Sequence, residues 1–168
     1  ILNRADQADP AASKQWAAYF RSKGISVLEC YARSGAGVKQ FSPVMRGALK
    51  EQIARWKEKG QVGRPVRAMV VGIPNVGKST FINKVAKKKS AKAGDRPGVT
   101  RGKQWSTVDQ GLELLDTPGI LWPKFEDETI GLHLAFTGAV RDAIMDVETL
   151  ACHLILLLAQ RKPEALTP

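Results

Sequence analysis

The stretch GIPNVGKST, residues 72–80, contains the pattern G-x-x-x-x-G-K-S of a phosphate-binding loop. In such a loop the glycines let backbone N–H groups face phosphate oxygens, Lys78 supplies a charge for the outer phosphates, and Ser79 can ligate Mg²⁺. The apolar run VRAMVVG before the loop predicts a buried strand, and STFINKVAKKK after it predicts a helix. This context favours a genuine phosphate loop over an accidental match.

A second motif, D-x-x-G at residues 116–119, lies downstream, where the apolar run LELLD ends at Asp116 and continues as TPG. At the end of a buried strand, Asp116 can hold the Mg²⁺ shell, and Gly119 can offer its N–H to a terminal phosphate. The alternative is an ordinary strand and turn, because Thr-Pro-Gly is good turn chemistry. Between the two motifs, GDRPGVTRG contains Thr100, whose hydroxyl is a candidate for Mg²⁺ and the terminal phosphate; the same stretch also fits a flexible glycine-rich loop.

The best candidate for reading a guanine base precedes the phosphate loop, in NRAD at residues 3–6. Within this motif, which also contains Asn3, the Asp6 carboxylate can accept two hydrogen bonds from guanine N1 and N2, which adenine does not offer. YAR at residues 31–33 ends a predicted strand, and there the Ala32 N–H can meet guanine O6. In ordinary GTPases the guanine-reading motif follows the phosphate loop, so this order raises the question of a rearranged chain.

The composition is that of a folded domain with an anionic partner. Of 168 residues, 43% are hydrophobic, and 26 Lys and Arg against 16 acidic residues give a net charge of +10, which favours a polyanion partner. Cys30 and Cys152 lie far apart without a Cys/His cluster, so we expect two buried reduced thiols in a reducing compartment. The apolar run at 154–159 is far shorter than the ~20 residues of a membrane span, and the first residue, Ile1, favours a fragment of a longer chain.

Strands and helices are predicted to alternate along the chain. Residues 9–24 predict a helix, and residues 25–31 predict a strand. Residues 42–60 predict one continuous helix that Ser42 caps. The apolar stripe of that helix consists of Met45, Leu49, Ile53 and Trp56.

Two further strands are predicted at 104–108 and 112–116, around the turn DQG, and the chain after DTPG is predicted to be helical to about residue 160. This alternation predicts an α/β layered fold with a mainly parallel sheet.

The segments LNRAD, GIPNVGKST, GDRPGVT and LELLDTPGILWPKFEDE together resemble the circularly permuted GTPases, specifically the bacterial ribosome-biogenesis GTPase A group. The resemblance covers essentially the whole chain. This family places its guanine-reading motifs before the phosphate loop. The resemblance implies a circularly permuted P-loop NTPase fold of three layers in residues 1–125, with its first strand and N-terminal segment missing, followed by the beginning of an all-α C-terminal domain in residues 126–168.

The motifs and the resemblance together assign a site for GTP and GDP. The residues expected to contact the nucleotide are Asn3, Arg4, Asp6, Tyr31, Ala32, Arg33, Pro74, Asn75, Val76, Gly77, Lys78, Ser79, Thr80, Thr100 and Gly119. Mg²⁺ is expected at Ser79, Thr100 and Asp116, and the resemblance implies K⁺ as a further cofactor, bound with the help of Asn75. Arg4 stands where the family motif usually has Lys, which puts the nucleotide affinity in question.

The resemblance implies a GTP-hydrolysing switch protein that acts in late assembly of the large ribosomal subunit. Ile120 follows Gly119, where Ras-like GTPases carry a water-orienting Gln, so hydrolysis is expected to be slow without the ribosome, and the catalytic residue stays unknown. The expected partners are the large ribosomal subunit and its rRNA, with the basic stretches 54–67 and 83–96 as candidate contacts. No DNA or membrane partner is expected, and the protein is expected to be a cytoplasmic monomer.

Two alternatives remain open at this point. One is a non-hydrolysing P-loop module that binds nucleotide or RNA. The other is an ATP-dependent P-loop enzyme, against which Asn3 and Asp6 argue. His133 and His153 are expected to be packing or surface residues.

Overall fold

The computed structural model of the chain describes residues 1–86, 104–109, 111–121, 127–140 and 146–166. The α-helices are α1 (Pro10–Ser22), α2 (Phe41–Ala48), α3 (Lys50–Glu58), α4 (Lys78–Val85), α5 (Glu128–Phe136) and α6 (Val147–Arg161). The strands are β1 (Val66–Val70), β2 (Gln104–Asp109) and β3 (Leu112–Asp116), and short 3-10 helices cover Val38–Gln40 and Pro163–Leu166. This order of elements confirms the predicted α/β class.

The sheet positions the two phosphate-facing motifs side by side. Its strand order is β1-β3-β2, with β1 parallel and β2 antiparallel to β3. In the parallel pair, Val70 is opposite Asp116, so the segments that follow these residues leave the sheet at the same edge. The strands predicted around the DQG turn are confirmed, and the sheet in the described ranges is mixed.

The prediction of an extended strand at 25–31 is wrong. The structure reduces this segment to two isolated bridges, a parallel one between Leu2 and Glu29 and an antiparallel one between Tyr31 and Ala36. The Leu2 N–H donates to Leu28 O at 2.8 Å, and the Cys30 N–H donates to Leu2 O at 2.9 Å. After Tyr31 the chain turns back on itself, and the Tyr31 N–H donates to Ala36 O at 2.9 Å.

The prediction of one continuous helix over 42–60 is also wrong. The segment forms α2 and α3, which are separated at Leu49, where φ is −109°. Ser42 lies inside α2 and does not cap it; its hydroxyl donates instead to Asp109 Oδ2 at 3.0 Å, and Arg46 forms an ion pair with Asp109 Oδ1 at 2.8 Å. These two contacts hold α2 against the end of β2. By contrast, the helix predicted at 9–24 is confirmed as α1.

One apolar core joins the helices to the sheet. The Phe41 ring of α2 meets the Phe81 ring of α4 edge-on, with centroids 5.1 Å apart. The predicted stripe of α2 and α3 packs against the core, as expected. The buried core residues are Leu28, Cys30, Ala32, Val38, Phe41, Val66, Phe81, Ile82, Val85, Leu112 and Leu114.

The described residues also bear on the predictions for the two cysteines and for a membrane span. Cys30 is buried as predicted, but Cys152 is exposed because α6 has no buried residue. The predicted boundary between residues 125 and 126 lies outside the described residues. Within the described ranges, no helix is long and apolar enough to cross a membrane.

Candidate nucleotide-binding site

The phosphate loop connects the end of β1 to the first turn of α4. Three of its residues have positive φ: Gly72 at 157°, Asn75 at 58° and Gly77 at 89°. A side chain at Gly77 is disfavoured for two reasons. A φ of 89° is one that residues other than glycine rarely adopt, and a Cβ there would lie 2.5 Å from the Asn3 amide nitrogen. The loop therefore curls tightly just before α4 begins at Lys78.

The Lys78 side chain lies across this loop. Its Nζ donates to Ile73 O at 2.8 Å and to Gly72 O at 3.1 Å. Burial lowers the pKa of Lys78 from its ordinary value, and the nearby Asp116 carboxylate partly opposes this shift. The Lys78 ammonium group is partly desolvated above a glycine-rich loop, and this disfavours its charged form. A bound phosphate would stabilise that charge, so the arrangement suits phosphate binding.

Ser79 and Asp116 meet beneath the loop. The Ser79 hydroxyl donates to Asp116 Oδ2 at 2.7 Å, and Asp116 is 0% exposed. Within the described ranges, Asp116 Oδ1 is the buried side-chain oxygen that has no hydrogen-bond partner. A hydroxyl beside an unsatisfied carboxylate oxygen is a donor set that fits Mg²⁺, which prefers oxygen ligands. The third expected ligand, Thr100, lies outside the described residues.

The segment after Asp116 is held against the phosphate loop. Thr117 Oγ1 donates to Val70 O at 2.7 Å, which fastens this segment to the end of β1. A Cβ on Gly119 would lie 2.6 Å from Pro74 backbone atoms, and the Ile120 N–H reaches Gly72 O at 3.4 Å. Thr117 was not among the residues predicted from the sequence, although a hydroxyl residue directly after a strand-ending aspartate could have indicated it.

Asn3 joins the predicted guanine-reading segments to the phosphate loop. Its Nδ2 donates to Val76 O at 2.8 Å, and its Oδ1 accepts from the Ala32 N–H at 3.1 Å. The buried thiol of Cys30, whose pKa is raised by burial, lies 3.5 Å from the same oxygen, a contact that the sequence did not predict. The Ala32 N–H thus has a protein partner here, and its predicted contact with guanine O6 stays a prediction.

The remaining predicted residues surround this junction. Arg4, Asp6 and Arg33 are exposed, and Arg4 has a φ of 61° in the turn that carries the motif. Tyr31 and Thr80 are half-buried. His133 and His153 are both exposed, as surface residues would be.

A further contact with the phosphate loop comes from the chain after α5. The Asn75 Nδ2 donates to Gly138 O at 2.6 Å, across 63 positions of sequence. Gly138 was not among the predicted site residues, because nothing in its own sequence surroundings points to a nucleotide.

A strand that ends in a glycine-rich loop, a helix that begins at the loop lysine and a buried aspartate on the neighbouring parallel strand define a P-loop nucleotide-binding fold. Residues 67–166 match the model of the 50S ribosome-binding GTPase family, and the chain belongs to this family. This result confirms that the sequence resemblance to a GTPase family was correct.

Individual relatives agree with this assignment. The chain is 50% identical to Ribosome biogenesis GTPase A of Priestia megaterium, over 99% of this chain and 58% of that protein. It is 31% identical to the protein of the same name from Thermotoga maritima, over 83% of this chain and 47% of that protein. The chain therefore spans little more than half the length of the first of these relatives.

Solved structures confirm the predicted P-loop NTPase fold. The GNP-bound crystal structure of YlqF from T. maritima matches with a TM-score of 0.61 and 27% identity, over 95% of this chain and 57% of that chain. The GDP-bound structure of YlqF matches with a TM-score of 0.60 and 28% identity.

The close approach of Gly119 to Pro74 predicts a stability effect. We expect Gly119→Ala to lower the free energy of unfolding by about 1–3 kcal/mol, because the new methyl group would meet backbone that cannot move aside easily. Urea denaturation followed by circular dichroism measures the change.

The matched control is Gly47→Ala, in α2, where a Cβ would meet nothing within 4 Å. This control should be neutral or stabilising, because alanine is the better helix former. Equal stabilities of the Gly119→Ala variant and the unmodified protein would show that the two loops do not pack as described.

Proposed function

We propose that this chain is a guanine-nucleotide-binding domain that binds GTP and GDP with Mg²⁺ and hydrolyses GTP. We propose further that the protein acts as a switch in late assembly of the large ribosomal subunit. The observation that carries the first proposal is the contact of Ser79 with Asp116 beneath the phosphate loop. This contact supports the proposal, because triphosphate binding requires a hydroxyl and a carboxylate for Mg²⁺ beside the loop that carries the Lys78 ammonium group.

The proposed phosphate contacts follow from these positions. Backbone N–H groups of residues 75–80 would donate to the phosphate oxygens, at the N-terminus of α4 where the helix dipole also favours an anion. Ser79, Asp116 and Thr100 would hold Mg²⁺, which when bound neutralises charge on the outer phosphates. Gly119 would donate its N–H to the terminal phosphate.

Guanine is the proposed base because of the segment that Asn3 anchors. The bonds from Asn3 to Val76 O and from Ala32 N–H to Asn3 hold residues 3–6 and 31–33 beside the phosphate loop. Asp6 is exposed in this segment and would accept from guanine N1 and N2. The same contact would disfavour adenine, which lacks these donors, and so argues against the ATP-dependent alternative.

The role of Asp6 can be tested by exchanging its carboxylate for an amide. We expect Asp6→Asn to weaken GDP binding about 10- to 100-fold, the cost of losing hydrogen bonds to a charged group, and to improve the relative affinity for xanthosine diphosphate. Calorimetric titration with GDP, ADP and xanthosine diphosphate measures both effects. The control is Glu58→Gln, at an exposed position of α3 outside the motif, which removes the same charge and should leave GDP affinity unchanged. If the Asp6→Asn variant binds GDP as tightly as the unmodified protein, Asp6 does not recognise the base.

Slow turnover is proposed because of the residue after Gly119. Ile120 stands where Ras-like GTPases carry a glutamine, and its side chain is 73% exposed. An isoleucine cannot orient a water molecule, so another group must do so. The competing function is a P-loop module that holds nucleotide without hydrolysing it.

A monovalent cation is proposed as a second cofactor beside Asn75. We expect GTP hydrolysis by the intact protein, with large ribosomal subunits present, to be several-fold faster in KCl than in NaCl at equal ionic strength, because K⁺ would add a positive charge beside the phosphates. Steady-state release of phosphate measures the rates. Equal rates in the two salts would contradict a K⁺ role, and no turnover in either salt would favour the non-hydrolysing module.

A ribosomal partner is proposed from the family and from the charge of the chain. Exposed basic residues in the stretch 54–67 are Arg55, Lys57, Lys59, Arg64 and Arg67. The Arg64 guanidinium group lies 4.7 Å from the Trp56 ring centroid. Lys and Arg contacts to phosphate would supply affinity for rRNA that does not depend on sequence. Most of the second basic stretch, 83–96, lies outside the described residues.

The ribosomal proposal predicts that binding depends on the nucleotide. We expect the full-length protein to co-sediment with large ribosomal subunits several-fold more with a nonhydrolysable GTP analogue than with GDP, because the switch would favour the bound form. Quantified pelleting through sucrose measures this, with small subunits as the control. Equal pelleting with both nucleotides, or with both subunits, would contradict a nucleotide-controlled role at the large subunit.

We also propose a cytoplasmic monomer with a nucleotide domain in residues 1–125 and a helical domain beginning at 126.

A further inference from the structure

The hydrogen bond between Asn75 and Gly138 joins the phosphate loop to the end of α5. Its length of 2.6 Å is at the short end for an N–H···O bond. Asn75 lies in the middle of the loop sequence, and Gly138 lies just after the last helical residue of α5. Asn75, a residue of the candidate nucleotide site, is therefore held by the Gly138 carbonyl. This carbonyl belongs to the helical tail, the part of the chain from α5 onward.

Both partners have left-handed backbone conformations. Asn75 has a φ of 58°, and Gly138 has a φ of 70°. Asparagine is one of the few residues other than glycine that enters this region at modest cost, and glycine enters it freely. If either residue left this region, the amide or the carbonyl would point elsewhere, so the contact depends on the backbone of both.

The end of α5 is itself well fixed. The Gly138 N–H donates to Ala135 O at 2.9 Å, and the Ala139 N–H donates to Leu134 O at 2.9 Å. Ala139 is only 2% exposed. These bonds close the helix end as a glycine cap does, so the carbonyl that meets Asn75 cannot shift without disturbing α5.

The neighbouring loop residue faces the other nucleotide-sensing segment. Pro74 lies directly against Gly119, where a Cβ would approach to 2.6 Å. Residues 74 and 75 thus contact the D-x-x-G segment on one side and the helical tail on the other. A change in the loop on binding phosphate would act on both contacts.

We propose that Gly138 is a positioning residue: its carbonyl orients the Asn75 side chain, and nucleotide binding at the loop is thermodynamically linked to docking of the α5 end. This inference rests on the proposed function, because it needs a nucleotide at the loop. The linkage is reciprocal, so whichever nucleotide favours the contact is itself bound more tightly when the contact is present. The contact between Asn75 and Gly138 joins the loop directly to the end of α5.

Substitutions at Gly138 test this without changing any side chain of the phosphate loop. Gly138→Val introduces a β-branched residue that strongly disfavours positive φ, whereas Gly138→Asn tolerates it and keeps the carbonyl in place. A Cβ at this position would lie 3.5 Å from Asn75 Nδ2, an ordinary contact, so the variants differ in backbone preference rather than in a clash. If Gly138→Val does not fold, Gly138→Ala applies the same strain more mildly.

Two measurements on the full-length protein are needed. Hydrogen exchange of residues 134–140 reports docking of the α5 end, and titration with GDP and with a nonhydrolysable GTP analogue reports the loop. We expect Gly138→Val to speed exchange in this segment and to change the affinity for at least one nucleotide about fivefold, the effect of losing one hydrogen bond. Gly138→Asn should resemble the unmodified protein in both measurements.

A double-mutant cycle separates positioning from general destabilisation. If Gly138 acts through Asn75, Gly138→Val should have no further effect on nucleotide affinity in an Asn75→Ala background, whereas a merely structural effect would add to it. Additive effects, or faster exchange with unchanged affinities, would overturn the proposal, as would no change in either measurement. If the unmodified protein binds neither nucleotide, the proposed nucleotide-binding function itself is wrong. If it binds nucleotide but the variants give one of the contradicting results above, only the linkage is wrong.

Discussion

The parallel pairing of β1 with β3 is the constraint on which the site depends. In its register, Val70 is opposite Asp116, so the phosphate loop and the D-x-x-G segment leave the sheet at one edge. The contact between Ser79 and Asp116 follows from this register, since Asp116 ends β3 and Ser79 lies in the first turn of α4, which follows the loop after β1. A shift of one residue would turn Asp116 to the opposite face of the sheet, away from Ser79.

The order of the segments along the chain matters less than their placement at this edge. The carboxamide of Asn3 bonds to Val76 O on one side and to the Ala32 N–H on the other, although the three residues are far apart in sequence. Ligands of open α/β sheets bind at the carboxyl ends of strands, whichever strand comes first. A guanine motif placed ahead of the phosphate loop is therefore compatible with the same site.

The structural predictions from the sequence that proved wrong have a common physical origin. Residues 25–31 have the composition of a strand, yet they make isolated bridges because pairing requires partners that local composition does not specify. The helix over 42–60 divides at Leu49, and its first half, α2, is bound to the distant strand β2 by the contacts of Ser42 and Arg46 with Asp109. Cys152 was expected to be buried from its residue type, but it lies on a helix without buried residues. In each case tertiary contacts, or their lack, overrode local preference.

The sequence by itself determined the class of fold, the family and the chemistry of the phosphate loop, because these reside in short runs whose glycine, lysine, serine and aspartate residues have fixed roles. Only the tertiary structure decided which groups meet. It showed that Thr117 fastens one motif to β1, that Cys30 lies against Asn3, and that Gly138 holds Asn75. These contacts join positions that are far apart along the chain and are made partly by backbone carbonyls, which every residue carries, so local patterns do not identify the partners.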